Sequence, residues 1–473
     1  MKREFLLNIL FLLAANVLIK PFYLFGIDRS VQNTVSEAEY GLYFALFNFT
    51  FLFQIVNDFG IQNYNNRNIA QHRQLLQKYF PNILVLKGGL SLTYLALVLG
   101  FGLAAGYTLP HFSFLLFIAL NHVLFSLLLY LRSNITGLGY YRLDSLLSVT
   151  DRLLLILLLG FLLWSKWAPG PFRIEWFVWS HTLSLSLTAL LAFGLVRRKL
   201  PALRLRFRPA FLLWLLKKSA PYALSIFLMS AYYRLDGFMI EQLLPDGAAE
   251  AGLYASAYRL YEASNMIGLL FAGLLLPIFS RMLVQGEAIA PLALFSFKLI
   301  TLGALILLAG VLFYRTEIMQ LLYDSGSVYS GRILLYLCLS FLAVAGTYVV
   351  GTLLVANGNT HQLNYVFAIG LGINLTLNLL LIPALRAEGA AMATCGTQFF
   401  VLAGELYIAR RWLGLRVPPR AWGQLAGAAF LLFGFAYSTL FWQLAPWYWP
   451  FLSIFGLGGL LALLFLWQNR VVY

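Results

Sequence analysis

Ala249-Glu-Ala-Gly-Leu-Tyr254 leads into one long apolar run and Ala38-Glu-Tyr-Gly-Leu-Tyr43 leads into another, and this echo organises the chain. Around both copies the sequence alternates short polar turns with segments of roughly 20 apolar residues, the length a helix needs to cross ~30 Å of hydrocarbon. Such segments begin near residues 5, 40, 79, 112, 144, 175, 219, 251, 291, 332, 364, 388, 421 and 449, so the two copies head the second and the eighth of about fourteen spans. A weaker pair agrees: Arg142-Leu-Asp144 heads span 5, and Gln362-Leu-Asn364 heads span 11. Both echoes lie six spans apart, an even number, so two six-helix halves should share one orientation, related by an axis along the membrane normal. The expected organisation is an N-terminal six-helix bundle over 1–196, a basic linker over 197–218 carrying Pro201 and Pro209, a C-terminal six-helix bundle over 219–409, and two further helices over 410–473.

Composition supports the same class. With 61% hydrophobic and 11% charged residues, 473 residues carry too little polar surface to clothe a soluble globule. The start, Met1-Lys-Arg-Glu4 before Phe5 to Gly26, has a basic n-region, but its apolar run is too long for a signal peptide and lacks a small-x-small cleavage site, so it reads as a retained first span. Cys338 and Cys395 both lie in apolar stretches, which excludes a disulfide framework or a cysteine metal cluster.

A net charge of +15 would suggest nucleic acid in a soluble protein; here topology explains it. With the N-terminus inside, the cytoplasmic side collects Lys2, Arg3, Arg67, Arg73, Lys78, Arg132, Arg410, Arg411 and the dense group from Arg197 to Lys218. The outside loops hold little beyond Arg29, Lys166, Arg173, Arg315, Arg332 and Arg386. By the positive-inside rule both termini are cytoplasmic.

Lys20, Lys87, Arg152, Arg234, Arg259 and Lys298 fall within the spans instead. A fixed charge at bilayer depth costs at least ~2.5 kcal/mol on insertion scales, so such residues face a watery cavity or a partner helix. Lys20, Arg234 and Arg259 read as lying in the outer half of the membrane, Lys87, Arg152 and Lys298 in the inner half. Cations at several depths would suit an anionic head group such as a pyrophosphate, which arginine grips through bidentate hydrogen bonds, and Lys20, Arg152, Arg234 and Arg259 are the substrate-binding candidates. The structural alternative is salt bridging: Arg259 and Glu262 share a helical face at i,i+3, and the lysines lie near enough to span ends to snorkel. Arg234 and Asp236, two apart, point to different faces. Asp58, in Asn57-Asp-Phe-Gly-Ile61, either binds a cation or proton or caps a helix end. Asp58, Asp236 and Glu262 are therefore the coupling or ion-pair candidates. There is no Walker A, GxGxxG, HExxH or CxxC motif, and no metal site or organic cofactor is expected.

Several segments together carry a family resemblance: Lys217-Lys-Ser-Ala-Pro-Tyr222, Tyr233-Arg-Leu-Asp236, Ala251 to Glu262, Asn374-Leu-Thr-Leu-Asn-Leu-Leu-Leu-Ile-Pro383 and Glu388-Gly-Ala-Ala-Met-Ala-Thr394, with Glu39 to Tyr43 and Asn57 to Ile61 near the start. In order and spacing the chain resembles the polysaccharide transporter family, in the O-antigen flippase (Wzx-like) branch of the multidrug, oligosaccharidyl-lipid and polysaccharide (MOP) exporter superfamily, from span 1 through span 12. The resemblance implies an all-α polytopic membrane protein with two six-helix bundles in a V around a central cavity and spans 13 and 14 outside it. It implies a transporter, not an enzyme, that flips undecaprenyl-pyrophosphate-linked oligosaccharide, an O-antigen or capsule repeat unit in lipopolysaccharide or polysaccharide biosynthesis, to the outer leaflet of a bacterial cytoplasmic (inner) membrane. It further implies alternating access coupled to Na+ or H+, with Arg234 and Asp236 matching the Arg-x-Asp of span 7, Arg259 and Glu262 the polar positions of span 8, and Lys20 the cation of span 1. Span 12 carries no marked charged motif beyond Glu388 and Glu405, and no coupling site is expected there.

The partners that follow are the lipid-linked oligosaccharide, membrane lipid and a glycan polymerase, with no nucleic acid. A lipid II flippase shares the pyrophosphate and the lipid and stays open. A multidrug antiporter would favour acidic and aromatic residues in its cavity, and a glycan polymerase would need a longer outside loop than the roughly twenty residues available.

Overall fold

The computed structural model describes residues 18–62, 65, 69, 74, 76–166, 170–199, 209–442 and 446–470. Most of the first predicted span, much of the 197–218 linker and the predicted cytoplasmic positions 67 and 73 lie outside the described residues. Every described element is helical. A π-helical stretch, Tyr23–Asp28, runs into α1 (Arg29–Thr34), followed by α2 (Glu37–Leu52), α3 (Gln54–Asp58), α4 (Leu76–Ala104), α5 (Leu109–Gly137), α6 (Tyr141–Trp164), α7 (Ile174–Arg197), α8 (Pro209–Leu243), α9 (Gly247–Gln285), α10 (Ala290–Leu322), α11 (Val328–Ala356), α12 (Thr360–Leu413), α13 (Pro419–Thr439) and α14 (Tyr448–Arg470). Nine helices among the described residues are long and apolar enough to cross a membrane. The chain is a multi-pass membrane protein, and helices are what its apolar runs must form, because in lipid only a helix or a closed barrel satisfies the backbone internally.

The chain divides into two compact units, with the boundary between Phe238 and Met239, within α8. In the first unit α7 packs on α5 and α6, and α4 and α2 also pack on α5. Their core holds Phe80, Tyr130, Leu131, Leu185 and Ala192, and the Tyr130 hydroxyl donates to the Phe80 carbonyl at 3.1 Å. In the second unit α11 is central, against α9, α10 and α12. The last two helices pack on α10: Tyr314 meets Thr439 Oγ1 at 2.7 Å and stacks near Trp447, and Lys298 bonds Gln424 at 3.2 Å under the Phe465 ring. Lys298 therefore serves this helix contact.

Two helices differ from simple spans. The predicted span 2 is broken: α2 ends at Leu52, α3 adds one turn, and Phe59 adopts a left-handed conformation (φ 50°) before Gly60 (φ 74°). Spans 11 and 12 are two helices that meet without an intervening loop, both within α12, and the chain turns between them at Arg386, a non-glycine residue at φ 59°, ψ −138°. Arg386 and Glu388, at this turn, are both engaged in ion pairs described below. Leu157, Leu190, Leu274, Leu380 and Phe430 are among the large apolar side chains left exposed, as lipid-facing positions should be.

Candidate functional site

Two groups of polar residues in the first unit contain candidate cations. One is built where α6 packs on the π-helical stretch. Arg152 lies with its guanidinium 4.8 Å from the Tyr23 ring centre, and Tyr23 Oη meets His181 Nε2 at 3.1 Å. Asp151 approaches Arg152 at 3.7 Å. Half-buried Lys20 is within electrostatic reach of Arg152, Arg132 and Asp151. Arg132 Nε donates to Asp144 Oδ1 at 2.7 Å. Lys20 and Arg152, expected in opposite halves of the membrane, are thus within electrostatic reach of one another, and Arg132, expected in a cytoplasmic turn, reaches Lys20 from α5. Among the described residues three cations, Lys20, Arg132 and Arg152, and two carboxylates, Asp144 and Asp151, are brought into one low-dielectric region, where the field of a charge extends far. The π-helical turn explains the placement of Tyr23: one extra residue per turn re-aims the side chains of an otherwise regular helix, a device common at functional sites.

The second group centres on Arg234. Its guanidinium lies 5.0 Å from the Phe51 ring and 5.6 Å from Phe47, and Nη1 donates to Asn48 Oδ1 at 3.4 Å. Gly237 makes this approach possible: a Cβ there would fall 2.5 Å from Asn48 Nδ2 and 2.6 Å from the Phe44 ring, so only glycine lets α8 lie this close to α2. Asp236, on the same helix, is buried at 2% exposure. His122 packs on Phe47 and Phe51, at 4.9 and 5.5 Å between ring centres, and its carbonyl accepts from Asn57.

Asp58 belongs to a structural pair. Lys87, 3% exposed, donates to Asp58 Oδ1 at 2.8 Å, to Ser126 Oγ at 2.5 Å and to the Asn57 carbonyl at 3.3 Å. The left-handed Phe59 ends the turn so that Asp58 faces α4. A separation of 29 positions along the chain hides this pairing from the sequence, in which the two residues look unrelated.

In the second unit Arg259 and Glu262 pair at 2.7 Å, the i,i+3 geometry that their spacing allows. A larger network, not legible in the sequence, surrounds the turn in α12. Glu250, 6% exposed, accepts from Arg386 Nε at 2.8 Å, Tyr329 Oη at 2.7 Å and the Ala387 backbone N–H at 3.2 Å. Arg386 also pairs with Asp246, and Arg332 with Glu388 at 2.9 Å. The glutamate of the repeated Ala-Glu-x-Gly-Leu-Tyr motif is its hub, and the recurrence of that motif was the one available signal.

Residues 5–283 match a family model described as polysaccharide biosynthesis protein. No curated protein matches the sequence. Among solved structures, the lipid II flippase MurJ in an inward closed conformation superposes with a TM-score of 0.76 at 14% identity, over 98% of this chain and 100% of that one. An inward-facing multidrug resistance MATE family transporter of the MOP superfamily gives 0.61 at 15% identity, over 82% and 94%. A MOP superfamily transporter from Pyrococcus furiosus, whose binding pocket is described as reversed in polarity, gives 0.57 at 15% identity, over 86% and 94%. The fold is the one these transporters share.

Proposed function

Since the chain belongs to the polysaccharide biosynthesis protein family and has a transporter fold, we propose that it flips an undecaprenyl-pyrophosphate-linked oligosaccharide, an O-antigen or capsule repeat unit, from the cytoplasmic to the outer leaflet of a bacterial inner membrane. The observation that carries this reading is the convergence of Arg132 and Arg152 on Lys20 within electrostatic reach, with Arg152 beside Tyr23, inside the first helical unit. A pyrophosphate is a compact polyanion, and planar guanidiniums beside a lysine offer it charge and fixed hydrogen-bond geometry together. Cationic drugs would be repelled by the same cluster. Arg234, on a platform of Phe47 and Phe51, supplies a further cation; the aromatic faces hold the guanidinium in place without neutralising it.

Passage needs alternating access, and the coupling ion is H+ or Na+ in this reading. A glycan polymerase that consumes the flipped unit is the natural partner. A second reading, transport of lipid II, is favoured by the likeness to MurJ over nearly the whole chain; its head group carries the same pyrophosphate, so the cluster serves both. Deletion of the gene with leaflet-resolved assay of lipid-linked glycans tests the two. Accumulation of an oligosaccharide repeat unit on the cytoplasmic leaflet with peptidoglycan intact is the expected result. Accumulation of lipid II instead selects the second reading, and normal flipping with short surface glycan overturns both.

A further inference from the structure

Glu405 carries no motif in the sequence, yet its surroundings are the most demanding of any acid in the second unit. It sits on the second arm of α12, about 12 Å along the helix from the Leu413 end at ~1.5 Å per residue, with 0% exposure. Neither carboxyl oxygen has a hydrogen-bond partner among the described residues. The side chain is accommodated by an absence on α11: a Cβ at Gly351 would stand 2.8 Å from Glu405 Oε1. Thr347, one turn earlier on α11, is its polar neighbour, and that hydroxyl is also outside hydrogen-bond geometry with any partner. Two turns back along the same face of α12, Gln398 is buried, and neither of its amide atoms has a hydrogen-bond partner among the described residues.

The titratable and charged groups around this point face elsewhere. On α11, Tyr348 donates to Asn265. On α10, Lys298 is engaged with Gln424. On α9, Glu262 holds Arg259. On the first arm of α12, Tyr365 is exposed and so is His361, and on the arm of Glu405 itself Tyr407, Arg410 and Arg411 are exposed. None of them interacts electrostatically with Glu405. Among the described residues an ionised carboxylate in such a place would have no cation beside it and the Thr347 hydroxyl alone as a donor within reach, and the cost of burying it would be several kcal/mol. A neutral acid avoids that cost. A sodium ion would require several oxygen ligands converging on it, whereas among the described residues Thr347 is the side chain within hydrogen-bonding reach of this carboxyl.

We propose that Glu405 is a proton-binding site, loaded while α11 and the second arm of α12 are closed on each other as here, and emptied when they part and water reaches the carboxyl. On opening, the O–H bond breaks, the proton passes to water and the carboxylate remains, hydrated. Re-closing requires it to be taken up again, so the proton is tied to the movement of this helix pair. The site itself stands on packing alone; its use in driving translocation rests on the transport reading above.

Infrared spectroscopy of the full chain in lipid tests the site. The wild type should show, at neutral pH, the carbonyl band of a protonated carboxylic acid amounting to one group per chain, lost in Glu405→Gln. Gly351→Ala, whose methyl must displace the carboxyl, should shift that band without abolishing it. A wild-type spectrum with no such band overturns the proposal whether or not the variants fold, and so does a band unchanged in Glu405→Gln. In vesicles enclosing a pH dye, the wild type should move protons with lipid-linked glycan and Glu405→Gln should lose proton movement; proton flux unchanged in that variant overturns the coupling role. Should the wild type move no glycan, the transport reading fails, and the infrared band still decides the proton site.

Discussion

At the scale of single residues, charge inside the membrane divides into cations whose neighbours are mostly aromatic or cationic and cations engaged by a carboxylate. Lys87 is of the second kind: nearly inaccessible and held by Asp58, Ser126 and a carbonyl. Asp58→Asn strands a buried ammonium, and the expected loss is on the order of 3 kcal/mol, read as a lowered unfolding temperature in detergent. Removing both charges together, Lys87→Met with Asp58→Asn, should recover much of that loss; equal stability of the single variant and the wild type would show the pair to be idle. Arg152 shares both characters, with Asp151 at 3.7 Å on one side and the Tyr23 ring and the charge of Lys20 on the other. Arg152→Gln should lower transport at least tenfold, about 1.4 kcal/mol at the anion, with expression and unfolding temperature little changed. A fall in stability that accounts for the lost transport would instead make Arg152 a structural residue.

The decisive element is the turn within α12. Arg386 holds a backbone conformation that side chains with a Cβ rarely adopt, at a cost of order 1–3 kcal/mol, and the surrounding ion pairs keep it there. Glu250 is the better anchor, because it is buried and serves three donors at once. Glu250→Ala should therefore destabilise more than Arg386→Gly, which loses the ion pairs but also relieves the φ of 59°. Thermal unfolding of the two variants checks the order, and the reverse order would mean that the turn is held by chain connectivity alone. The sequence showed two apolar runs here separated by Arg386-Ala-Glu388. It could not show that the two helices meet at a single non-helical residue, since that turn is set by φ and ψ at Arg386, which composition does not encode.

For the whole molecule, the topological claim is open to direct measurement. Arg416→Cys and Asp324→Cys, each introduced singly at an exposed position into a chain with Cys338 and Cys395 replaced, should be labelled by an impermeant reagent from the cytoplasmic and the outer side respectively. Labelling of both from one side would contradict the positive-inside assignment. All-helical class, membrane insertion and the approximate limits of most spans were legible from sequence alone, because hydrophobic length is a local property that the bilayer reads directly. So was the Arg259–Glu262 pair, whose partners lie one helical turn apart. Tertiary structure alone decided which distant residues meet: Lys20 with Arg152, Lys87 with Asp58, Arg386 with Glu250, and Glu405 with the gap left by Gly351. Each of these depends on the rotation and depth of one helix against another, and in lipid those are set by close packing of small residues and by partners found far along the chain, not by the apolar pattern of either helix.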